Sequence, residues 1–279
     1  MPKMSMGMNT SGEATAAAVA VGGSYENNYS IQFDGIDDFV NLGGPDFSGH
    51  TVGTIALWAY VITHPSGKYS LITYQSTTSN YMRLIIGTAN KWGLHRRRND
   101  GTEHYYAYSN SASTEGVWEH IAVTQDGTDT KLYIGGVLQD DDLGGDAEDE
   151  WFSAIGASQT LASQSPSTDF QGLTMGVTQG GSYFKGFLDE VAIWNVALTA
   201  ADITAIYKSG EPNDLKDSAS YNTDRTGNLK GYWRMEEGTG LTINDTSTNS
   251  NHGTLTAFDT DDDGVTTAEK TAFSSTVPS

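Results

Sequence analysis

Apolar residues along this chain recur mostly at every second position, in short runs broken by polar turns. Tyr29-Ser30-Ile31-Gln32-Phe33 alternates in this way, which is the period of a strand with one buried face. Asp34-Gly35 then gives a turn signal, and the pattern resumes over Ile36-Asp37-Asp38-Phe39-Val40-Asn41-Leu42. Residues 54–61 (TIALWAYV) are β-branched, aromatic and free of breakers, so they predict a strong strand. Residues 69–74 and 81–86 predict a hairpin, and Trp92-Gly93-Leu94-His95 starts another strand. Residues 118–124 and 131–134 flank the turn Asp126-Gly127-Thr128-Asp129. Residues 173–177, 186–194 and 229–235 add three more. Only one stretch has helical spacing: Thr199 can cap, Asp202 stands three residues later, and Ile203, Ile206 and Tyr207 share one face. Many short strands and a single short helix after the closing strand predict an all-β fold, a two-sheet antiparallel sandwich or jelly roll.

Two features disturb the alternation. Asp189 and Glu190 interrupt the apolar run from Gly186 to Trp194, and a β-bulge there would re-aim their side chains. Residues 140–150 hold seven acids in eleven positions, which reads as a solvated loop. The segment 209–228, with Pro212, reads as a polar linker. The pattern therefore divides the chain into an arm (1–24), a β domain (25–208), a linker (209–228) and a C-terminal extension (229–279).

Composition changes the functional picture more than the structural one. Acids outnumber bases 35 to 15, for a net charge of −20. That excludes a general nucleic-acid binder, which needs the opposite sign, and suits solubility or cation binding. There is no cysteine, so disulfides and thiolate metal sites are out. No apolar run approaches the ~20 residues of a membrane span. The stretch before residue 24 has one base, Lys3, and an acid, Glu13, beside its alanines. It makes a poor secretory signal and reads as an arm lying on a partner.

At this point three motifs show a resemblance. Phe33-Asp34-Gly35-Ile36-Asp37-Asp38-Phe39-Val40 resembles the opening strand of the laminin-G-like, pentraxin-like jelly rolls of the concanavalin A-like lectin/glucanase fold. Trp118-Glu119-His120-Ile121-Ala122-Val123-Thr124, followed by Lys131-Leu132-Tyr133-Ile134-Gly135-Gly136, is similar to the family's central hairpin, with Gly135 where an Asp is usual. Residues 186–207 are similar to its closing strand and helix. A fourth motif, 229–255, resembles a segment that usually precedes the opening strand but here follows the jelly roll. It either completes the same sandwich or begins a second, partial repeat.

The resemblance implies that the first and last strands lie close together. That would bring Asp34, Asp37 and Asp38 near Asp189 and Glu190, whose mutual repulsion a Ca²⁺ ion would relieve through carboxylate and carbonyl oxygens. Asp259, Asp261 and Asp263 repeat the spacing of an EF-hand loop, but position twelve is Lys270 and Glu269 is one residue early. Their bland reading is a solvated acidic turn. Trp92, Tyr105, Tyr106, Tyr108, Trp151 and Tyr183 lie beside loops, where flat rings stack on sugar faces; the competing reading for each is packing. Trp58, Trp118, Trp194 and Trp233 read as core. Arg96, Arg97 and Arg98 form a basic tip that could dock an acidic neighbour.

Catalysis is not indicated. Glycosidases of this fold carry alternating carboxylates on a strand, whereas Glu148-Asp149-Glu150 and Asp189-Glu190 are contiguous. The expectation is a non-catalytic surface or structural module. Its setting is a virion surface, as a capsid decoration or a fibre or tail protein, with possible homo-oligomer contacts. Partners would be other virion proteins, through residues 1–24 and residues 96–98, and host glycans. The alternative is a calcium-dependent carbohydrate-binding adhesin of a bacterial cell surface, and a glycoside hydrolase ranks third.

Overall fold

The computed structural model describes residues 25–42, 47, 49–77, 80–98, 100–139, 151–155, 172–178, 182–258 and 272–279. The first half runs through β1 (Ser30–Asp34), β2 (Phe39–Asn41), β3 (Gly53–Val61), β4 (Tyr69–Thr77), β5 (Asn80–Ile86), β6 (Trp92–Arg97), β7 (Glu103–Tyr108), β8 (Trp118–Gln125), β9 (Thr130–Ile134) and β10 (Val137–Leu138). A single helical turn, α1 (Phe152–Ile155), precedes β11 (Gly172–Met175), β12 (Val177–Thr178), β13 (Ser182–Tyr183) and β14 (Lys185–Trp194). Helix α2 (Ala200–Tyr207) follows, then β15 (Leu229–Trp233), β16 (Thr242–Ile243), β17 (Gly253–Thr256) and β18 (Phe273–Ser274).

These strands build two antiparallel sheets. The first has the order β10-β9-β8-β3-β14-β1-β18, with β15 also on β14; the second has the order β16-β17-β2-β11-β4-β5-β6-β7. Strands β12 and β13 form a separate small hairpin. The expected sandwich is present, and the residue registers show how alternation makes it. Across the second sheet, Leu255, Val40, Met175, Ile72, Leu84 and Leu94 stand in one row of direct partners, and all belong to the main core. The adjacent row is Thr254, Asn41, Thr174, Thr73, Arg83 and His95. A period of two puts one row into the core and the next on the opposite face.

Strand β14 organises the first sheet. Its one edge pairs with β3 from Gly186 opposite Val61 to Trp194 opposite Thr54. Its other edge is shared between two strands. Strand β1 takes residues 185–188, and β15 takes residues 191–194. Asp189 and Glu190 fall at the seam between them. The register against β3 shifts by one residue there, from Asp189 opposite Trp58 to Ala192 opposite Ala56, and Glu190 sits at φ 50. This is a β-bulge, placed where one partner strand ends and the next begins.

The C-terminal strands are hydrogen-bonded into both sheets, β15 and β18 in the first and β16 and β17 in the second. The segment 209–228 differs from a polar spacer. Leu215 and Tyr221 are buried with Trp194, Ile203 and Ile206 in a second apolar cluster behind the first sheet. The Trp194 indole N–H donates to Tyr221 Oη at 3.2 Å, and Tyr221 Oη–H donates to the Leu215 carbonyl at 2.6 Å. Helix α2 starts with the capping box read from the sequence: Thr199 accepts from the Asp202 amide, and Asp202 accepts from the Thr199 amide.

Candidate functional site

The Asp-Gly turn after β1 gathers three carboxylates. Gly35 sits at φ +84, and a Cβ there would come within 2.8 Å of Lys185 Cβ, so the position demands glycine on both counts. Asp34 Oδ1 accepts from the Ile36 amide at 2.8 Å and the Asp37 amide at 3.4 Å. Asp38 Oδ2 accepts from the Asp34 amide at 2.8 Å. The turn thereby folds Asp34, Asp37 and Asp38 onto one point, with one oxygen of each within 4.8 Å of the others. Asp38 is buried and the other two are half-buried. At that separation each charged pair repels by about 3–4 kcal/mol at an effective dielectric near 20. An all-oxygen donor set without His or Cys fits a hard cation such as Ca²⁺.

Tyr183 stands beside this turn. It lies on β13, packed against Phe39 and Val177 and half-buried. Its packing partner Phe39 directly follows Asp38; burial pushes the Tyr183 phenol up, and the charges of Asp37 and Asp34 add to the shift. The structure thus joins two candidates that are separate in the sequence, the acidic turn and one aromatic.

It does not join the acidic turn to Asp189 and Glu190. In the β1–β14 register Asp34 is opposite Lys185 and Ile31 is opposite Leu188. Asp189 therefore lies four residues, ~13 Å, along the strand from the turn. A shared ion is excluded by that register. The seam acids have other partners. Asp189 Oδ2 accepts from Asn27 Nδ2 at 3.1 Å, and its Oδ1 from the Glu190 amide at 2.9 Å. Glu190 accepts a short hydrogen bond from Tyr232 Oη and pairs with Arg234 Nε at 3.4 Å. Arg234 in turn lies 4.5 Å from the Tyr25 ring centroid and donates to the Glu26 carbonyl. Burial pushes both carboxyls up, Glu190 to about 7 against the opposing pull of Tyr232, Tyr25 and Arg234.

Several other expected positions are corrected. Trp92 and Trp151 are buried in the main core, so neither offers a face to a sugar. The Trp92 indole donates to Glu119 Oε2 at 3.2 Å, and Trp151 packs on Phe152 at 5.2 Å. Arg96 is buried as well, donating to the Tyr81 carbonyl at 3.2 Å, and Arg97 pairs with Glu103 at 3.2 Å. Of the three arginines expected to form a basic tip, Arg96 is therefore withdrawn from the surface and Arg97 is engaged by an acid of the neighbouring strand. Tyr105 and Tyr106 lie on β7, but their side chains fall outside the described residues, as do Asp259, Asp261, Asp263, the acidic run 140–150 and residues 1–24.

One arrangement escaped the sequence reading. His64 Nε2 lies 3.0 Å from Ser113 Oγ, and His64 Nδ1 lies 3.2 Å from Glu115 Oε1. These are the spacings of a Ser–His–acid relay. The surroundings do not support acyl transfer. Ser113 is buried, and His64 Nε2 is also 3.1 Å from the Ser113 carbonyl. The amides that would form an oxyanion hole are committed, Ser113 to the Asn90 carbonyl and Thr114 to Glu119. The trio ties a loop to the sandwich. No sequence signal marks it, because the turn at His64 and the loop at Ser113 meet only in the fold.

A family profile for the concanavalin A-like lectin/glucanases superfamily, laminin G type 3, matches residues 33–204, and the chain belongs to that family. Among solved structures, a candidate carbohydrate-binding protein from Bacteroides ovatus is 18% identical, with a TM-score of 0.55. The alignment covers 83% of this chain but only 58% of that protein, so the chain spans less than two-thirds of its length. The CBM40 of the Ruminococcus gnavus IT-sialidase, bound to α2,3-sialyllactose, is 18% identical over 64% of this chain and 97% of its own, with a TM-score of 0.46. The SAP-like pentraxin of Limulus polyphemus is 12% identical over 65% and 82%, with a TM-score of 0.44. No curated protein matches the sequence. At 18% identity the likeness to the Bacteroides protein shows the fold alone. No helix among the described residues is long and apolar enough to cross a membrane.

Proposed function

We propose that this laminin-G-like chain is a non-catalytic, calcium-dependent carbohydrate-binding module. The observation that carries the reading is the cluster of Asp34, Asp37 and Asp38, with the half-buried Tyr183 packed on Phe39, the next residue in the chain. Calcium held by the three carboxylates would keep open positions for vicinal hydroxyls of a sugar, and the ring of Tyr183 would take its apolar face. Exposed Ile36, at 55%, adds apolar surface at the same turn. The name of the Bacteroides protein, which shares the fold over most of this chain, is in keeping with a sugar ligand. The setting we propose is display on a large assembly such as a virion. Co-purification with particles would support that setting, and recovery only as free protein would oppose it.

The test is a glycan-array screen followed by titration of the best ligand with and without a calcium chelator. Binding should vanish on chelation and fall at least tenfold in both Asp37→Asn and Tyr183→Ala. Binding that ignores the chelator and both substitutions would remove the site.

A further inference from the structure

We propose that the C-terminal part of the chain carries a second ligand site, a calcium-independent pocket for a single neutral sugar residue. It goes beyond the calcium-dependent reading and does not rest on it. A cavity of about 340 Å³ is lined by Lys216, Thr226, Gly227, Leu229, Thr246, Ser247 and Thr248. All of these lie past residue 204, where the family match ends. Leu229 pairs with Trp194 at one end of β14, and the acidic turn pairs with Lys185 at the other. Nine residues of strand, ~30 Å, separate the two sites.

The pocket is built rigidly. One wall is the turn 226–228, closed by the Asn228 amide donating to the Arg225 carbonyl at 2.9 Å. The other is the turn after β16, which Asp245 organises by accepting from the amides of Tyr232, Ser247 and Asn251 at 2.8–2.9 Å. Asn249 Nδ2 ties this wall to the Leu229 carbonyl at 3.3 Å, and Asn251 Nδ2 ties it to the Lys230 carbonyl at 3.0 Å. A site held this way loses little freedom when a ligand arrives.

Its chemistry suits a polyol ring. Buried Leu229 supplies an apolar floor for the C–H face of a sugar. The Thr226 hydroxyl donates to Asp224 at 2.8 Å and the Thr246 hydroxyl to the Tyr232 carbonyl at 3.1 Å, which leaves both oxygens to accept. Ser247 Oγ accepts from Asn249 at 3.2–3.3 Å, which leaves its proton to donate. Lys216 adds ammonium donors. Sugar hydroxyls both give and accept, so they match this alternation. Asp214 and Asp217 flank Lys216, and Asp224 holds Thr226. Lys230 Nζ, 3.5 Å from the Gly227 carbonyl, is a second cation, and two cations among three acids leave no net positive charge to draw a carboxylate-bearing sugar. The volume lies at the lower end of the roughly 300–1,000 Å³ range of small-molecule sites, which fits one ring better than a chain.

The test uses saturation-transfer NMR on the full chain with calcium chelated, against neutral hexoses and the corresponding uronic acids. A Cβ at Gly227 meets nothing within 4 Å, so Gly227→Phe fills the cavity without a backbone clash; Thr248→Trp at the exposed rim is the second blocking variant. The expected result is transfer to a neutral hexose that persists in chelator and in Tyr183→Ala. It should weaken at least tenfold in the blocking variants, with unchanged melting. No transfer to any neutral hexose, transfer that survives both blocking variants, or tighter binding of a uronic acid would each overturn the proposal. Sugar binding lost in chelator and in Tyr183→Ala but untouched by Gly227→Phe would overturn it too, while leaving the calcium-dependent site standing.

Discussion

Two groups of acids lie along the same strand pair and behave differently. At one end of β1, Asp34, Asp37 and Asp38 crowd within 4.8 Å in a turn that is partly open to solvent. Beside its other end, Asp189 and Glu190 are buried at the seam between β1 and β15. The seam acids receive a cation from the chain itself, because β15 leads directly into Arg234. The turn acids are organised by backbone amides, an arrangement suited to an added cation. Contiguous acids in a strand can thus be a structural lock, whereas spaced acids in a tight turn make a candidate metal site.

The largest expected effect breaks the lock. Arg234→Met leaves Glu190 buried without its cation and should cost about 3 kcal/mol in chemical denaturation; Asp34→Asn, at the more exposed group, should cost under about 1 kcal/mol. Equal costs would erase the distinction. Next, calcium should stabilise the wild type by up to about 2.7 kcal/mol when free ion is ~100-fold above its Kd. The gain should disappear in Asp37→Asn and persist in Asp189→Asn, and the opposite pattern would move the ion to the seam.

The smallest effect is on pH dependence. Glu190 is raised from 4.5 to about 7, so over that window the folded state binds more protons than the unfolded one. Its contribution is fully present below about 4.5 and is lost as pH rises through about 7. Asp189 is shifted in the same direction. Glu190→Gln should flatten this slope by on the order of 1–3 kcal/mol, seen in melting temperatures across the window. An unchanged slope would mean the seam carboxyls are ionised throughout.

Much of the fold was legible from alternation and turn chemistry. The Asp34-Gly35 turn, the bulge at Asp189 and Glu190, and the Thr199 cap each follow from local residue types. What failed was anything set by register or distant packing. Proximity of the first and last strands suggested that all five acids meet, but a four-residue offset along β1 separates them. Trp92 and Trp151 border polar loops in sequence, yet each ring fills a gap between the sheets. Segment 209–228 looked like a spacer because its two anchors, Leu215 and Tyr221, are too sparse to make a period. The His64, Ser113 and Glu115 contacts span some fifty positions and leave no local trace.

The most direct test of the central claim is a backbone NMR titration of the chain with its best-binding glycan, in calcium and in chelator. Calcium-dependent shifts are expected to centre on residues 34–38 and Tyr183, with Asp189 and Glu190 undisturbed. Calcium that leaves residues 34–38 unmoved, or glycan that leaves Tyr183 unmoved, would contradict it.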